Sequence, residues 1–506
     1  MQGENRRLAK TILISGIAAF LSYLINFFLT KYITASVGIE AYGFVSIAKT
    51  AVSYAQIITV AFTTFVVRYI SVSYHEGKLE ESTSYYTSSI FGCTAISAVI
   101  YLGALILIWK LEQLLIIPAG LVGSVKLLFI LVFFNFIITT ITIPVSSAGY
   151  IKNRLDIVGI LKIGSYFADA ASLVLMFRLF SPSIWFVGVG SLSASLVLLA
   201  GNLIMKRYLL ADLPFDRKAF DLKKIKSMVS NGIWQSVNSL GNVLNSGLDL
   251  LISNLMLSAA ETGQIAIAKQ IGTIFSLLYS TISQPFQPQM LKSYASGNME
   301  KFMTELTKAM KICGLFSNIA FAGFVVLGRL YYRLWLPGQD SDLLYFLTIV
   351  TVFTSISEGV VYPVYYVNTL TLKKKIPCLV TVACGLLNAV SMYLLLSFTS
   401  LGVYAIVLTT AVIMTASNLL FTPIYASRCL KVSSGKIYFV LLRHVVSAFI
   451  MCLAFYVIGN FVHPHSWFGL IFAALLMTVF GAVIHISLMG NWKDAAWLVR
   501  RKLKKN

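Results

Sequence analysis

The sequence predicts an all-α polytopic membrane protein of about 14 transmembrane helices, with both termini in the cytoplasm. The first observation is compositional: 58% of the 506 residues are apolar, 12% are charged, and the mean hydropathy is +0.82. Soluble domains carry about 25% charged residues. The second observation is that basic residues collect in alternate loops, and the third is that the two halves of the chain repeat one pattern.

The candidate spans are apolar runs near the length of about 20 residues that crosses a bilayer. Their approximate limits are 11–33, 43–68, 86–109, 125–148, 157–179, 182–205, 231–256, 263–289, 309–331, 343–369, 377–397, 402–425, 439–460 and 466–489. The longest loop predicted outside, around 330–342, holds about a dozen residues. A polysaccharide polymerase or ligase needs a larger external segment for its catalytic groups, so we expect no enzyme.

The charge distribution predicts the orientation of these spans. The chain has 40 Lys and Arg against 19 Asp and Glu, a net charge of +21 that by itself could indicate a nucleic-acid partner. With the N-terminus inside, 29 of the 40 basic residues fall in cytoplasmic segments, 5 at outer ends and 6 within spans. Basic residues concentrate in cytoplasmic loops of membrane proteins. The excess therefore reports orientation, and we expect no nucleic-acid partner.

An internal repeat predicts two related lobes. The motif G-x-x-x-I-A-K at 43–49 recurs at 263–269, and Pro144-Val145 recurs as Pro363-Val364. The offsets of 220 and 219 residues correspond to six spans. Because six is even, the two halves begin on the same side of the membrane and are parallel repeats.

The repeat divides the chain into four predicted segments. An N-lobe of six spans covers 1–205, and a basic cytoplasmic linker covers 206–230. A C-lobe of six spans covers 231–425, and two further spans with a basic tail cover 426–506. In folds of this kind the substrate path lies between the lobes, which rock against each other.

Span 7 contains a polar stripe. Its members follow one another at spacings of 4, 3, 4, 3 and 4, which places them on one helix face: Asn231, Gln235, Asn238, Asn242, Asn245 and Asp249. Unpaired amides in lipid are costly, so the stripe faces protein or water. It either bonds to neighbouring helices or lines a hydrated cavity. We favour the cavity, because six polar residues exceed what one neighbouring helix usually satisfies. Asn26 in span 1 and Gln56 in span 2 extend the pattern.

Lys49 and Lys269 are equivalent in the repeat. Each follows the motif glycine by six residues, which corresponds to about 9 Å of depth from the outer helix end. Lys269 either pairs with Asp249, which lies at a similar depth, or forms a cationic site in the cavity, or snorkels to the surface. Lys49 has the same alternatives, but span 1 offers it no acid.

Asp169 in span 5 and Glu358 in span 10 are acids within predicted spans. Each is either a proton or cation site that couples transport to a gradient, or the counter-ion of Lys162 or another cation. The sequence has no Gly-rich phosphate loop followed by Lys and Ser or Thr, so we do not expect ATP to drive the protein. We expect no metal site, since the Cys spacing has no CxxC pair.

Several short motifs are similar to those of one family. They are V-G-I-E-A-Y-G-F at 37–44, D-A-x-S at 169–172, N-A-x-S at 388–391 and L-G-V-Y-A at 401–405. Over most of residues 5–425 the chain is similar to the polysaccharide transporter family, the flippases of O-antigen, capsule and teichoic acid precursors. That family belongs to the multidrug/oligosaccharidyl-lipid/polysaccharide (MOP) exporter superfamily.

The resemblance implies a MATE-like pair of six-helix lobes around a cationic central cavity. It implies alternating access and a polyprenyl-diphosphate-linked oligosaccharide as cargo, moved from the cytoplasmic to the outer leaflet. Lys49 and Lys269 are the positions that match cations attracting the diphosphate. The expected substrate-binding set is Lys49, Lys269, Asn238, Asn242, Asn245, Asp249, Gln56 and Asn26, with Asp169 and Glu358 as coupling residues.

The same resemblance implies a location and partners. We expect a multi-pass protein of the bacterial cytoplasmic membrane with no cofactor, coupled to H⁺, Na⁺ or the membrane potential. Expected partners are the lipid-linked oligosaccharide, membrane lipids, and a polysaccharide polymerase with its chain-length machinery. The alternative is a cation-coupled multidrug exporter of the same superfamily, but such exporters favour acidic cavities, whereas the repeat-related residues here are lysines.

Overall fold

The computed structural model describes residues 2–489, with side chains described at residue 14, at 16–18 and from residue 20 onward. The predicted basic tail, with six Lys and Arg at 493–505, lies outside the described residues. The described residues form helices and no strands. The chain divides into two compact units, Met1–Gly263 and Gln264–Asn506.

The first unit consists of nine helices and the start of a tenth among the described residues. They are α1 Gln2–His75, α2 Leu79–Trp109, α3 Leu111–Leu114, α4 Val122–Val145, α5 Ser147–Ile151, α6 Leu155–Leu179, α7 Phe186–Leu209, α8 Leu222–Ser246, α9 Leu248–Met256 and α10 Ala259–Ser283. Short 3₁₀ turns cover Ala119–Leu121 and Arg217–Ala219.

The second unit continues from α10. Its further helices are α11 Gln287–Ala295, α12 Met299–Trp335, α13 Ser341–Phe353, α14 Ser355–Val361, α15 Tyr365–Leu370, α16 Lys375–Phe398, α17 Val403–Ala416, α18 Thr422–Leu430, α19 Gly435–Val462 and α20 Trp467–Met489. Two 3₁₀ turns, Gln284–Phe286 and Tyr362–Val364, and a π-helical turn, Ser417–Phe421, join broken helices.

Twelve helical stretches in the described part are long and apolar enough to span a membrane. The first, Gly16–His75, has 60 residues and is about 90 Å long at 1.5 Å per residue, several times the apolar thickness of a bilayer. Gly38 breaks it with φ 86° and ψ 164°, which separates predicted spans 1 and 2. These findings confirm the all-α polytopic fold. The number of 14 crossings, the side of the termini and the lobe boundaries stay predictions.

The backbone of the two units repeats as the sequence predicts. The broken helix over 122–151 recurs over 341–370, an offset of 219 residues at both ends. Gly77 and Gly297, which end equivalent turns, have φ of 75° and 71°. Asn153 and Leu372 occupy a second equivalent turn with φ of 51° and 55°. Shared left-handed residues at the same offsets show that the repeat extends to local conformation, since such φ values are uncommon outside glycine.

Prolines lie where helices break. Pro144 lies in the last turn of α4, directly before the break that begins α5. Pro285 and Pro363 lie in the two 3₁₀ turns of the second unit, and Pro423 begins α18 after the π-helical turn. Proline has no N–H for the helical ladder and its ring clashes with the preceding turn.

In the first unit, α8 packs closely on the second half of α1. Phe62, Val66 and Ile70 of α1 form a buried core with Met228 of α8. Gly232 of α8 lies so close to the backbone of α1 that any Cβ there would overlap the Ala61 carbonyl. This contact places the polar stripe of α8 next to the half of α1 that carries Lys49.

Candidate functional site

The polar stripe changes from exposed to buried along α8 and α9. Asn242 is exposed and Asn238 is partly buried, whereas Asn245 and Asp249 each expose 4% of their surface. The Asn245 side-chain amide donates to the Gly241 carbonyl of its own helix at 2.8 Å. The stripe therefore combines an accessible segment with a buried end at the break between α8 and α9.

Several hydrogen bonds join α8 and the start of α9 to α1. From the predicted stripe, Asn231 Nδ2 donates to the Tyr69 hydroxyl at 2.7 Å. The Tyr54 hydroxyl donates to the Gly247 carbonyl at 2.8 Å, at the break between α8 and α9. The Ser236 hydroxyl donates to the Ile57 carbonyl at 2.6 Å. Tyr54 also lies within electrostatic reach of the Asp249 carboxylate. Tyr54 is not among the residues predicted from sequence, because nothing in its own span marks it among the polar positions.

Lys49 lies within electrostatic range of Asp169 in the first unit. The Lys49 side chain is exposed, and its charge acts on the partly buried carboxylate of Asp169 in α6. That carboxylate rests on Gly190 of α7, where any Cβ would overlap its Oδ1 atom. From sequence, the counter-ion of Asp169 was Lys162 or another cation. In the structure Lys162 is exposed, and the cation with an electrostatic effect on the Asp169 carboxylate is Lys49.

Gln56 and Asn26 are both exposed on α1. The Asn26 side-chain amide donates to the Ser22 carbonyl one turn earlier at 2.8 Å. Ser53, which shares the face of Lys49 and Gln56, donates to the Lys49 carbonyl at 3.2 Å. These polar groups thus form an accessible face on the second half of α1, with Asn26 on its first half.

In the second unit, Lys269 is partly buried on α10. The Thr273 hydroxyl, one turn later, donates to the Lys269 carbonyl at 3.0 Å. Lys269 thus keeps part of its surface accessible on a helix whose other face is buried, as the neighbouring Ile267, Ala268 and Ile271 show.

Glu358 is partly buried on α14 and has tyrosines as electrostatic neighbours. Tyr279 of α10, Tyr362 in the following 3₁₀ turn and Tyr365 of α15 all lie within reach of its charge. The Tyr365 hydroxyl donates to the side-chain oxygen of Asn418 at 2.5 Å. A carboxyl group among phenolic hydroxyls is a site where a proton or a small cation can be held.

A histidine pair ties α19 and α20 to the rest of the second unit. A carbonyl oxygen only accepts, so His444 Nε2 donates to Ile356 O at 2.8 Å and His485 Nε2 donates to Lys311 O at 3.0 Å. His485 Nδ1 then accepts from the Ser447 hydroxyl at 3.0 Å.

The Ile356 carbonyl, which accepts the hydrogen bond from His444, lies two residues before Glu358 on α14. Neither histidine is predicted from sequence, since each is a single polar residue in an apolar run. Among the side chains that the structure describes, no group of three or more His, Cys, Asp or Glu residues is arranged to hold a metal ion.

Comparison with known proteins confirms the family resemblance. The model of a family described as "Polysaccharide biosynthesis protein" matches residues 8–293. The chain is 28% identical over 411 residues to the uncharacterized membrane protein EpsK of Bacillus subtilis (strain 168), a match that covers 81% of each chain.

Solved structures of the MOP superfamily share the fold. The lipid II flippase MurJ, in an inward closed conformation, matches 94% of this chain and 99% of its own with a TM-score of 0.67 and 14% identity. An inward-facing multidrug resistance transporter of the MATE family matches 83% of this chain and 99% of its own, also with a TM-score of 0.67, at 11% identity. At these identities the likeness concerns the fold.

Proposed function

Since the chain belongs to the polysaccharide biosynthesis protein family, we propose that it is a flippase. Its cargo is a polyprenyl-diphosphate-linked oligosaccharide, which it moves from the cytoplasmic to the outer leaflet by alternating access. The relative MurJ is a lipid II flippase, and its fold extends over 94% of this chain. The protein is a multi-pass membrane protein, and we place it in the cytoplasmic membrane of a bacterium.

The observation that carries this proposal is the exposed ammonium group of Lys49 on a membrane-spanning helix. A charged group inside a span is costly and marks a substrate or ion path. A diphosphate offers several anionic oxygens to an ammonium group, and this attraction is strong where water is scarce. The repeat places Lys269 at the equivalent position of the second unit, also partly accessible. We assign both lysines to the diphosphate.

The amides contribute the saccharide contacts in this proposal. A side-chain amide both donates and accepts hydrogen bonds, as a sugar hydroxyl does. Asn238 and Asn242 are accessible on α8, and Gln56 and Asn26 are exposed on α1. Asn245 and Asp249 are buried at the end of the stripe, so their role is to orient the accessible residues and to bind cargo only when that end opens.

We assign ion coupling to Asp169 and Glu358. The positive charge of Lys49 stabilises the carboxylate of Asp169. When a diphosphate occupies Lys49, Asp169 loses part of its stabilising neighbour and takes up H⁺ or Na⁺ instead. Glu358, among tyrosine hydroxyls, offers a second place for the same ion. Cargo and ion then affect each other's binding through Lys49, which is the thermodynamic requirement for coupling.

The test is flipping of a fluorescent lipid-linked oligosaccharide in vesicles that contain the purified protein. We expect Lys49→Ala and Lys269→Ala each to reduce the rate about tenfold or more, and Lys49→Arg to retain most of it. Lys126→Ala is the matched control, because Lys126 forms an ion pair with Glu112. Wild-type flipping rates in the double variant Lys49→Ala/Lys269→Ala would disprove the assignment.

The multidrug exporter is the alternative that the same vesicles test. Exporters of organic cations require an anionic site, and lysines at both repeat positions oppose such cargo. Uptake of an organic cation driven by a pH gradient, together with no flipping of the lipid-linked saccharide, would favour the exporter over our proposal.

For partners, we propose a polysaccharide polymerase and its chain-length machinery, which receive the flipped cargo. Co-purification after crosslinking in membranes tests this.

A further inference from the structure

The first unit contains an apolar cavity of about 320 Å³ that the polar site does not use. It lies between α1, α2, α3, α4 and α9. Its walls include Ala51 of α1, Ala104 of α2, Leu111 of α3, Phe133 of α4 and Leu250 of α9. All five helices belong to the same compact unit.

The side chains that line this cavity favour a hydrocarbon ligand. Only Thr50 and Tyr54 add polar atoms to it, and the Tyr54 hydroxyl already donates to Gly247. Water in a cavity needs two to four polar partners, and apolar cavities of this kind stay dry or take up apolar molecules. The cavity is therefore suited to a hydrocarbon chain rather than to a saccharide or an ion.

The cavity is open at one side. Its rim residues Leu107, Leu114 and Leu255 expose 59%, 46% and 47% of their surface. They lie near the C-terminal ends of α2, α3 and α9, the ends that the predicted topology places toward the outer leaflet. A chain can enter there from the bilayer without crossing a polar barrier.

We propose that this cavity binds a segment of the isoprenoid chain of the lipid carrier, an inference that rests on the proposed function. The volume is roughly twice that of an apolar cavity of about 150 Å³ that binds benzene. It therefore has room for about two isoprene units, and the rest of the carrier stays in the bilayer. The site holds one part of the chain while the head group is moved.

Continuity with the polar stripe selects the carrier over bulk phospholipid. Asp249 ends the stripe, and Leu250, the next residue, lines the cavity. Tyr54 joins the two surfaces, since its ring lines the cavity and its hydroxyl bonds to Gly247 at the α8–α9 break. A molecule with a polar head along the stripe and a chain in the cavity uses both surfaces at once. A phospholipid also brings a phosphate head group, but it has no oligosaccharide for the amides of the stripe.

Photocrosslinking tests the occupant. Purified protein in nanodiscs is exposed to a diazirine-labelled polyprenyl phosphate or to a diazirine-labelled phosphatidylglycerol, and labelled peptides are mapped. We expect the isoprenoid probe to label peptides of α2 and α9, and unlabelled polyprenyl phosphate to displace it while phosphatidylglycerol does not. Equal labelling by the phospholipid probe, or displacement by phospholipid, would overturn the proposal.

Two cavity variants and a control separate this site from the lipid-facing surface. Ala104→Phe fills the cavity, and Leu107→Trp narrows its exposed rim, where a larger side chain is tolerated in the fold. Both should reduce isoprenoid labelling about fivefold or more. Val99→Phe is the control, because Val99 lies on the same helix, is 68% exposed and does not line the cavity.

The flipping assay distinguishes failure of this inference from failure of the proposed function. Wild-type protein that flips the lipid-linked saccharide, with cavity variants that label and flip like wild type, would remove the chain site and leave the function. Wild-type protein that flips none of the saccharide would overturn the function and, with it, the carrier as the occupant.

Discussion

The Asn254 side chain pairs with both backbone groups of Ile116. The Ile116 N–H donates to Asn254 Oδ1 at 3.0 Å, and Asn254 Nδ2 donates to the Ile116 carbonyl at 3.2 Å. Asn254 is fully buried, with 0% exposure. The pair fastens the segment after α3 to α9, and the adjacent residues Leu115 and Leu255 both line the apolar cavity. One amide thus holds together two walls of the proposed chain site.

Replacing this amide should loosen the cavity. Asn254→Leu keeps the size of the side chain but removes both hydrogen bonds and leaves two backbone groups without them. We expect the free energy of unfolding to fall by about 2–4 kcal/mol, measured by thermal unfolding in detergent. Asn26→Leu is the control, because the Asn26 amide is exposed and bonds only to its own helix. Equal losses in both variants would contradict a special role for Asn254.

The proximity of Lys49 and Asp169 predicts coupled effects on transport. Because the two charges act on each other, Lys49→Ala and Asp169→Asn should be non-additive in a double-mutant cycle on the flipping rate. We expect an interaction of about 0.5 kcal/mol or more. Asp169→Asn alone should also weaken the dependence of flipping on an imposed pH or Na⁺ gradient. Additive effects would show that the two residues act separately.

Substitution of Glu358, the second proposed coupling residue, should have an effect of its own. Glu358→Gln keeps the shape of the side chain and removes its ability to ionise, so we expect cargo binding to persist while the rate loses its response to a pH gradient. Binding of the labelled cargo and flipping at two gradients are measured on the same preparation. Glu112→Gln is the control, since Glu112 is outside the spans and pairs with Lys126. An unchanged response in Glu358→Gln would exclude it from coupling.

Glycine substitutions in the repeat-related turns should lower stability, whereas one in a helix should raise it. Gly77→Ala and Gly297→Ala place a Cβ at φ of 75° and 71°, and each should reduce stability by about 1 kcal/mol. Gly103→Ala in α2 has open space around the new methyl group and should raise stability by up to about 1 kcal/mol. Thermal unfolding of the three variants gives the comparison, and a stabilising Gly297→Ala would contradict the equivalence of the turns.

The histidine pair predicts how α20 is held. His485→Leu removes the bonds to Ser447 and to the Lys311 carbonyl, so we expect a loss of about 1–3 kcal/mol. Cys452 of α19, in a variant without the other cysteines, should then react faster with a maleimide. His465→Leu is the matched control, because His465 is exposed in the loop between α19 and α20. An unchanged Cys452 reaction rate would show that the histidine does not secure the helix.

Some features of the fold follow from local sequence alone. Hydropathy over runs of about 20 residues predicted the helical membrane fold, and the 219–220 offset predicted turns whose φ values agree within a few degrees. Helices break at prolines, because the missing N–H of a proline acts on its own helix. Span 7 was identified from the 3–4 spacing of its polar residues, although its apolar character is too weak for it to appear among the twelve apolar spans of the described chain.

Other features depend on contacts between distant parts of the chain. The sequence offered Asp169 several possible counter-ions, and only packing of α1 against α6 brought Lys49 to it, 120 positions away. Asn254 and Ile116 lie 138 positions apart, and His444 and Ile356 lie 88 apart. Asn254, Ile116, His444 and Ile356 are single positions with no periodic pattern around them, so no local rule marks their contacts.

The sequence by itself determined that this chain crosses the membrane as helices, repeats in two halves and carries lysines at equivalent depths. These properties are periodic or compositional, and periodicity is visible along one dimension. Tertiary structure alone decided which acid lies within electrostatic range of Lys49, which amide closes the segment after α3, and where an apolar cavity meets the polar stripe. Those outcomes depend on which side chains meet when helices pack, a property of three-dimensional contact that spacing along the chain does not contain.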